Sequence, residues 1–185
     1  MSGLEIERKF IVSKAKAFKS LAFAHQTIKQ GYIPCQDATV RIRTKGDKSF
    51  LTIKSRSVDG GLSRYEFEGR STNGGITRYE FEKEITHEEA ENLFKLCKGG
   101  MIEKERFFIK SGEHTFEVDE FYGDNEGLIM AEVELSSIDE PFIKPDFIEK
   151  EVTGDKRFYN SFLLHFPYKL WKDKWAEEQL QSKEP

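Results

Sequence analysis

The sequence predicts an α+β protein built mainly on antiparallel β-strands, and three observations lead there. Eight segments alternate apolar with charged or polar residues at the period of a strand. Most links between them are short and rich in turn residues, which suits hairpins rather than parallel crossovers. Helical spacing is confined to a few stretches between or after the strands.

In chain order the predicted strands cover roughly 3–12, 27–34, 38–45, 48–55, 76–84, 101–110, 114–122 and 127–136. Gly46-Asp47, Gly99-Gly100, Ser111-Gly112 and Gly123-Asp124-Asn125 punctuate them as turns. A first helix is predicted from Ser13, as its cap, to Ala24. A second covers 88–97, where Thr86 and Glu89 stand at capping-box spacing and Gly99-Gly100 ends the run. Asp155 caps a third that reaches about Phe166. Residues 1–167 then form one domain, and 168–185 a charged, amphipathic helical tail with two tryptophans.

With 29 Lys and Arg against 33 Asp and Glu, the net charge is -4, so the broad basic surface of a nucleic-acid binder is missing. Cys35 and Cys97 match no metal or redox spacing and read as reduced thiols of a cytoplasmic protein. Met1 to Phe10 runs into charged strand sequence without a signal-peptide core, and no stretch has the length and apolarity of a membrane span. A homodimer is left open.

Charge matters here through placement. Glu5-Ile6-Glu7-Arg8-Lys9, Arg41-Ile42-Arg43, Thr52-Ile53-Lys54, Lys104-Glu105-Arg106, Glu117-Val118-Asp119 and Glu132-Val133-Glu134 each put a charged face opposite an apolar one. Several faces carry one sign: Arg41 with Arg43, Lys104 with Arg106, and three acidic pairs. Like charges two residues apart on a strand lie about 7 Å from each other, which costs roughly 2 kcal/mol at an effective dielectric near 20. Hard divalent cations for the acids and a polyanion for the bases would offset that repulsion. The bland alternative is a solvated face whose bases pair with Glu80, Glu82, Glu117 and Asp119.

Other chemistries find no motif. His25, His87, His114 and His165 are scattered, and neither a P-loop nor a dinucleotide-binding turn occurs. The chain does repeat itself: Gly60–Asn73 reads GGLSRYEFEGRSTN and Gly74–His87 reads GGITRYEFEKEITH. Parity admits one copy to the main sheet, because two would deliver the helix at 88 to its opposite end. The second copy, which runs into the Thr86 cap, is predicted to be the strand.

The Glu5-Ile6-Glu7-Arg8-Lys9 segment matches the E-x-E-x-K signature of the CYTH family, the triphosphate tunnel metalloenzymes. Gly31-Tyr32, Arg41-Ile42-Arg43, Leu51-Thr52-Ile53-Lys54, Arg78-Tyr79-Glu80-Phe81-Glu82, Glu103-Lys104-Glu105-Arg106, Glu117-Val118-Asp119, Glu132-Val133-Glu134 and Glu151-Val152-Thr153-Gly154-Asp155-Lys156-Arg157 follow in family order. The chain resembles the family from Leu4 to Asn160. The resemblance implies a closed eight-stranded antiparallel tunnel with a charged interior and helices outside. It implies Mg²⁺ or Mn²⁺ held by Glu5, Glu7, Glu117, Asp119, Glu132 and Glu134. Lys9, Arg41, Arg43, Lys54, Arg78, Lys104, Arg106 and Lys156 would cradle a small-molecule triphosphate, with Lys9, Lys54, Glu80 and Glu82 serving catalysis. The implied activity is metal-dependent hydrolysis of tripolyphosphate or a nucleoside triphosphate. The alternatives within the family are thiamine triphosphatase and class IV adenylyl cyclase, and outside enzymes a polyphosphate-binding module.

Overall fold

The alternating segments pair into a single antiparallel sheet. The computed structural model of the protein describes residues 6–13, 17–55, 80–137 and 139–181. Its strands are β1 (Ile6–Val12), β2 (Ala24–Ile33), β3 (Ala38–Lys45), β4 (Lys48–Ser55), β5 (Glu80–Ile85), β6 (Ile102–Ser111), β7 (His114–Phe121), β8 (Ile129–Leu135) and β9 (Ile148–Glu151). The spatial order is β5-β4-β3-β2-β6-β7-β8-β1-β9. The antiparallel, sheet-dominated α+β class is as predicted. Nine strands replace eight, and among the described residues the sheet runs between two edges, β5 and β9.

Turn chemistry fixes the register locally. Gly46 at φ 59° closes the β3–β4 hairpin between the paired Lys45 and Lys48. Thr86 caps α1 (His87–Phe94) with the full capping box: its side chain accepts from the Glu89 N–H, and Glu89 returns the bond to the Thr86 N–H. Helix α1 lays Ala90 and Phe94 over Ile42, with Leu51 and Ile85 packed alongside, and so covers the outer face of β3–β5. The outer face of the other half is a core of Phe10, Val12, Phe107, Ile109, Phe116, Val118, Ala131 and Val133.

The inner face changes character along the strands. At one end Ile11, Tyr32, Ile102, Phe121 and Met130 meet Phe158, Leu163, Leu164 and Trp175 of the C-terminal segment. Towards the other end the same face carries the charged rows. Helices α2 (Asn160–His165) and α3 (Lys172–Gln181) belong to the segment that closes the apolar end. On this inner face Lys45 of β3, Arg106 of β6 and Glu117 of β7 lie two and three strands apart.

Three local expectations need correction. In place of a helix from Ser13 to Ala24, residues 17–24 hold one 3₁₀ turn, Phe18–Leu21, and Ala24 already opens β2. Phe18 is drawn into the outer core, 5.5 Å from the Phe107 ring and 6.3 Å from that of Phe147. The helix predicted after Asp155 is split. Asp155 caps a 3₁₀ turn, Lys156–Phe158, through the Arg157 N–H; Tyr159 is extended, and α2 follows. Phe158 is pinned edge-on to Trp171 and Trp175, at 5.4 and 5.1 Å, which breaks the helical path. The third is β9, four residues long and joined to β1 with an irregular register and the Arg8–Glu151 ion pair. No helix among the described residues is long and apolar enough to cross a membrane.

The second repeat copy supplies β5, from Glu80 to Ile85. The first copy, Arg78 and Glu5 lie outside the described residues.

Candidate active site

Period-two alternation puts the charged rows on the inner face, and the register decides which charges meet. Lys9 stands opposite Glu132 and Glu7 opposite Glu134 on β1–β8; Arg106 stands opposite Asp119 on β6–β7. Glu117 is opposite Glu132 on β7–β8. On the other half Arg41 faces Thr52, Thr52 faces Glu82, and Lys54 faces Glu80.

In the acidic half three cations bridge the carboxylates without cancelling their charge. Lys9 Nζ, buried, donates to Glu7 Oε1 at 2.9 Å and Glu132 Oε1 at 2.6 Å, and lies 5.7 Å from the Tyr159 ring centre. Its main chain is also anchored: its N–H donates to Thr153 Oγ1, and its carbonyl accepts from Val152. Arg106 reaches three carboxylates, with Nε and Nη2 each 2.6 Å from Asp119, Nη2 2.9 Å from Glu132, and Nη1 on Glu117. Asp119 also accepts from Lys104 Nζ at 2.5 Å, and both groups are buried. Burial works against the Arg106 charge, but Asp119, Glu132 and Glu117 outweigh it and hold its pKa well above the ordinary value.

Burial likewise works to raise the Glu132 pKa. Lys9, then Arg106 and Lys104, overcome it and hold the carboxylate well below its usual range. The sign follows from linkage. A depressed folded-state pKa gives stability that is present above the unfolded value, about 4.3, and lost as pH falls through the folded one. Urea unfolding is therefore expected to show stability declining below about pH 5, with a shallower decline in Glu132→Gln. Parallel declines in both proteins would remove Glu132 from the account.

The basic half is different. Glu82 Oε2 is 3.6 Å from Arg41 Nη2 and 3.7 Å from Arg43 Nη2, beyond hydrogen-bonding distance. Among the described residues the Nε atoms of Arg41 and Arg43 are buried without a hydrogen-bond partner. Burial, then the Arg41 charge, lower the Arg43 pKa; Glu82 opposes this, and Arg106 adds to it. Lys45, next in the row, is lowered by burial and by Arg43.

The structure thus brings together Glu7, Lys9, Lys104, Arg106, Glu117, Asp119 and Glu132 in one set of ion pairs, and Arg41, Arg43, Thr52 and Glu82 in another. Glu134 joins the face through its pairing with Glu7 and is exposed. Lys54 and Glu80 face each other at the β5 edge. Lys156 is exposed on the 3₁₀ turn after Asp155 and enters neither set. Among the described residues no three His, Cys, Asp or Glu side chains converge as a metal cluster; the lysines and Arg106 interleave them. The sequence reading missed Thr52, Tyr159 and Lys45. Thr52 and Lys45 were legible only in their parity with the charged rows.

A model of the CYTH domain matches residues 3–159. An inorganic triphosphatase of Acetivibrio thermocellus is 44% identical over 173 residues, covering 92% of this chain and 99% of the relative. One of Nitrosomonas europaea is 35% identical over 164 residues, covering 86% and 95%. A crystal structure of an inorganic triphosphatase superposes with a TM-score of 0.65 at 30% identity, over 87% of this chain and 94% of that one.

Proposed function

Because this chain belongs to the CYTH domain family, we propose that it is a triphosphatase that hydrolyses inorganic tripolyphosphate with Mg²⁺ or Mn²⁺. The observation that carries this reading is the pair Arg41 and Arg43, side by side with mutually repelling charges and with buried Nε atoms that no described residue accepts from. A linear polyanion is the ligand that relieves both. The charged inner face, closed by the sheet edges around the bound anion, is the proposed tunnel.

The acidic half suits a hard cation. Glu7 and Glu132 already share the Lys9 ammonium between two oxygens, and both present carboxylates, the donors that Mg²⁺ and Mn²⁺ take. Glu5, Glu7, Glu117, Glu132 and Glu134 are the proposed ligands, with Asp119 committed chiefly to Arg106 and Lys104. A bound divalent cation supplies charge neutralisation at phosphate oxygens and lowers the pKa of water. Arg41, Arg43, Lys54, Arg78, Lys104 and Arg106 bind the phosphates, with the exposed Lys156 as an outlying charge, and the donors fixed on the face favour the transition state as charge develops on it. Lys9 neutralises the terminal phosphoryl group, and Glu80 and Glu82 orient the attacking water and take its proton.

Phosphate release from tripolyphosphate, thiamine triphosphate, ATP and pyrophosphate with each metal tests the reading. The expected result is metal-dependent conversion of tripolyphosphate to pyrophosphate and phosphate. Cyclic AMP made from ATP would instead make the protein a cyclase. Calorimetric binding of tripolyphosphate without turnover under any metal would make it a binding module.

A further inference from the structure

Thr52 is fully buried at the middle of the basic half, directly between Arg41 of β3 and Glu82 of β5. Its hydroxyl donates to Glu82 Oε2 at 2.7 Å, since a carboxylate can only accept. That spends its one proton, so towards Arg41 it only accepts, from Nη2 at 3.3 Å. The same Glu82 oxygen is attracted by both guanidiniums yet stops at 3.6 and 3.7 Å from them. Carboxylate and guanidinium otherwise favour a close, often bidentate, pair.

We propose that Thr52 is a positioning residue whose hydroxyl holds the Glu82 carboxylate off Arg41 and Arg43, keeping both free to bind the substrate's phosphate oxygens. The proposal rests on reading this face as a triphosphate site. A guanidinium that already carries a carboxylate must release it before a phosphate can bind, so collapse of Glu82 onto the arginines would weaken anion binding. Valine reproduces the branched shape of threonine without the hydroxyl, and so leaves Glu82 one hydrogen bond short and free to move. Serine keeps the hydroxyl.

The test is calorimetric titration of metal-free tripolyphosphate into the wild type, Thr52→Val, Thr52→Ser, Glu82→Gln and the Thr52→Val/Glu82→Gln double variant. Thr52→Val is expected to weaken binding about tenfold, the scale of one charge-assisted hydrogen bond lost. Thr52→Ser should stay within about twofold of wild type, because its hydroxyl makes the same bonds. In the Glu82→Gln background Thr52→Val should cost less than about twofold, since no carboxylate remains to collapse; such non-additivity is what direct coupling predicts. In hydrolysis assays with Mg²⁺, Thr52→Val should raise KM and also lower kcat, because Glu82 is the proposed water-orienting group as well, and Thr52→Ser should restore both.

Unchanged binding by Thr52→Val overturns the proposal. So does an equal loss in both backgrounds, which would mark a packing role alone. A wild type that binds tripolyphosphate but never hydrolyses it overturns the proposed activity, while the same binding comparison still decides Thr52. A wild type that does not bind it overturns both.

Discussion

Arg106→Ala is expected to cost about 3–5 kcal/mol of folding stability, the scale on which one partner of a buried ion-pair network is lost. The cost comes from what the side chain leaves behind. Among the described residues Asp119, buried, keeps its ion pair with Lys104, Glu132 keeps that with Lys9, and Glu117 loses its ion-pair partner. Three carboxylates then share one end of a face from which water is largely excluded, and protonating them costs free energy at neutral pH. Arg106→Lys should recover part of the loss, because an ammonium restores charge but cannot make the forked contact with both Asp119 oxygens. Urea unfolding of the three proteins measures this. An alanine variant within about 1 kcal/mol of wild type, the worth of an exposed pair, would show that the cluster is solvated.

Lys9→Met should lower tripolyphosphate turnover by about two orders of magnitude or more, as expected for the loss of one preorganised charge at the reacting group. Methionine keeps the length and apolar stem, and its thioether replaces the ammonium beside the Tyr159 ring with a sulfur–aromatic contact. The carboxylates of Glu7 and Glu132 lose the cation that lies between them, and the fold should weaken without metal. Millimolar Mg²⁺ should then raise the melting temperature of the variant more than that of wild type, because a cation fills the place the ammonium left. Equal shifts in both proteins would mean that metal binds elsewhere; undiminished turnover would remove Lys9 from catalysis.

Faces were legible in the sequence because alternation fixes them, and the predicted 38–45 and 48–55 strands coincide with β3 and β4. Register was not. The sequence shows that Asp119 and Arg106 lie on charged faces, but only pairing across β6–β7 places them opposite each other. That is why the acids read as bare same-sign pairs, whereas the structure interleaves them with Lys9, Lys104 and Arg106. Thr52 is named in the segment Thr52-Ile53-Lys54 but given no role, because a pattern built on charge assigns none to an uncharged residue. Strand β9, Ile148–Glu151, has one apolar residue in four and makes an irregular pairing with β1, too little for periodicity to detect. The helix predicted to follow Ser13 failed because local spacing cannot foresee a phenylalanine drawn into the core behind the sheet.

The edge strand β5 also bears on how molecules of this protein meet. A free strand edge is a template for another strand, and the obvious partner is the same edge of a second molecule. Two identical antiparallel strands related by an axis normal to the sheet can only pair residues of like parity. Every such register sets Glu82 against Glu82 or Glu84, or else leaves the overlap very short. Like charges directly opposed are unfavourable in a ladder, so the acids on the inner face of β5 also disfavour such edge pairing. The same alternation that lines the inner face therefore protects the molecule from joining sheets with its copies, and charge neutralisation at low pH is the condition under which that protection would lapse.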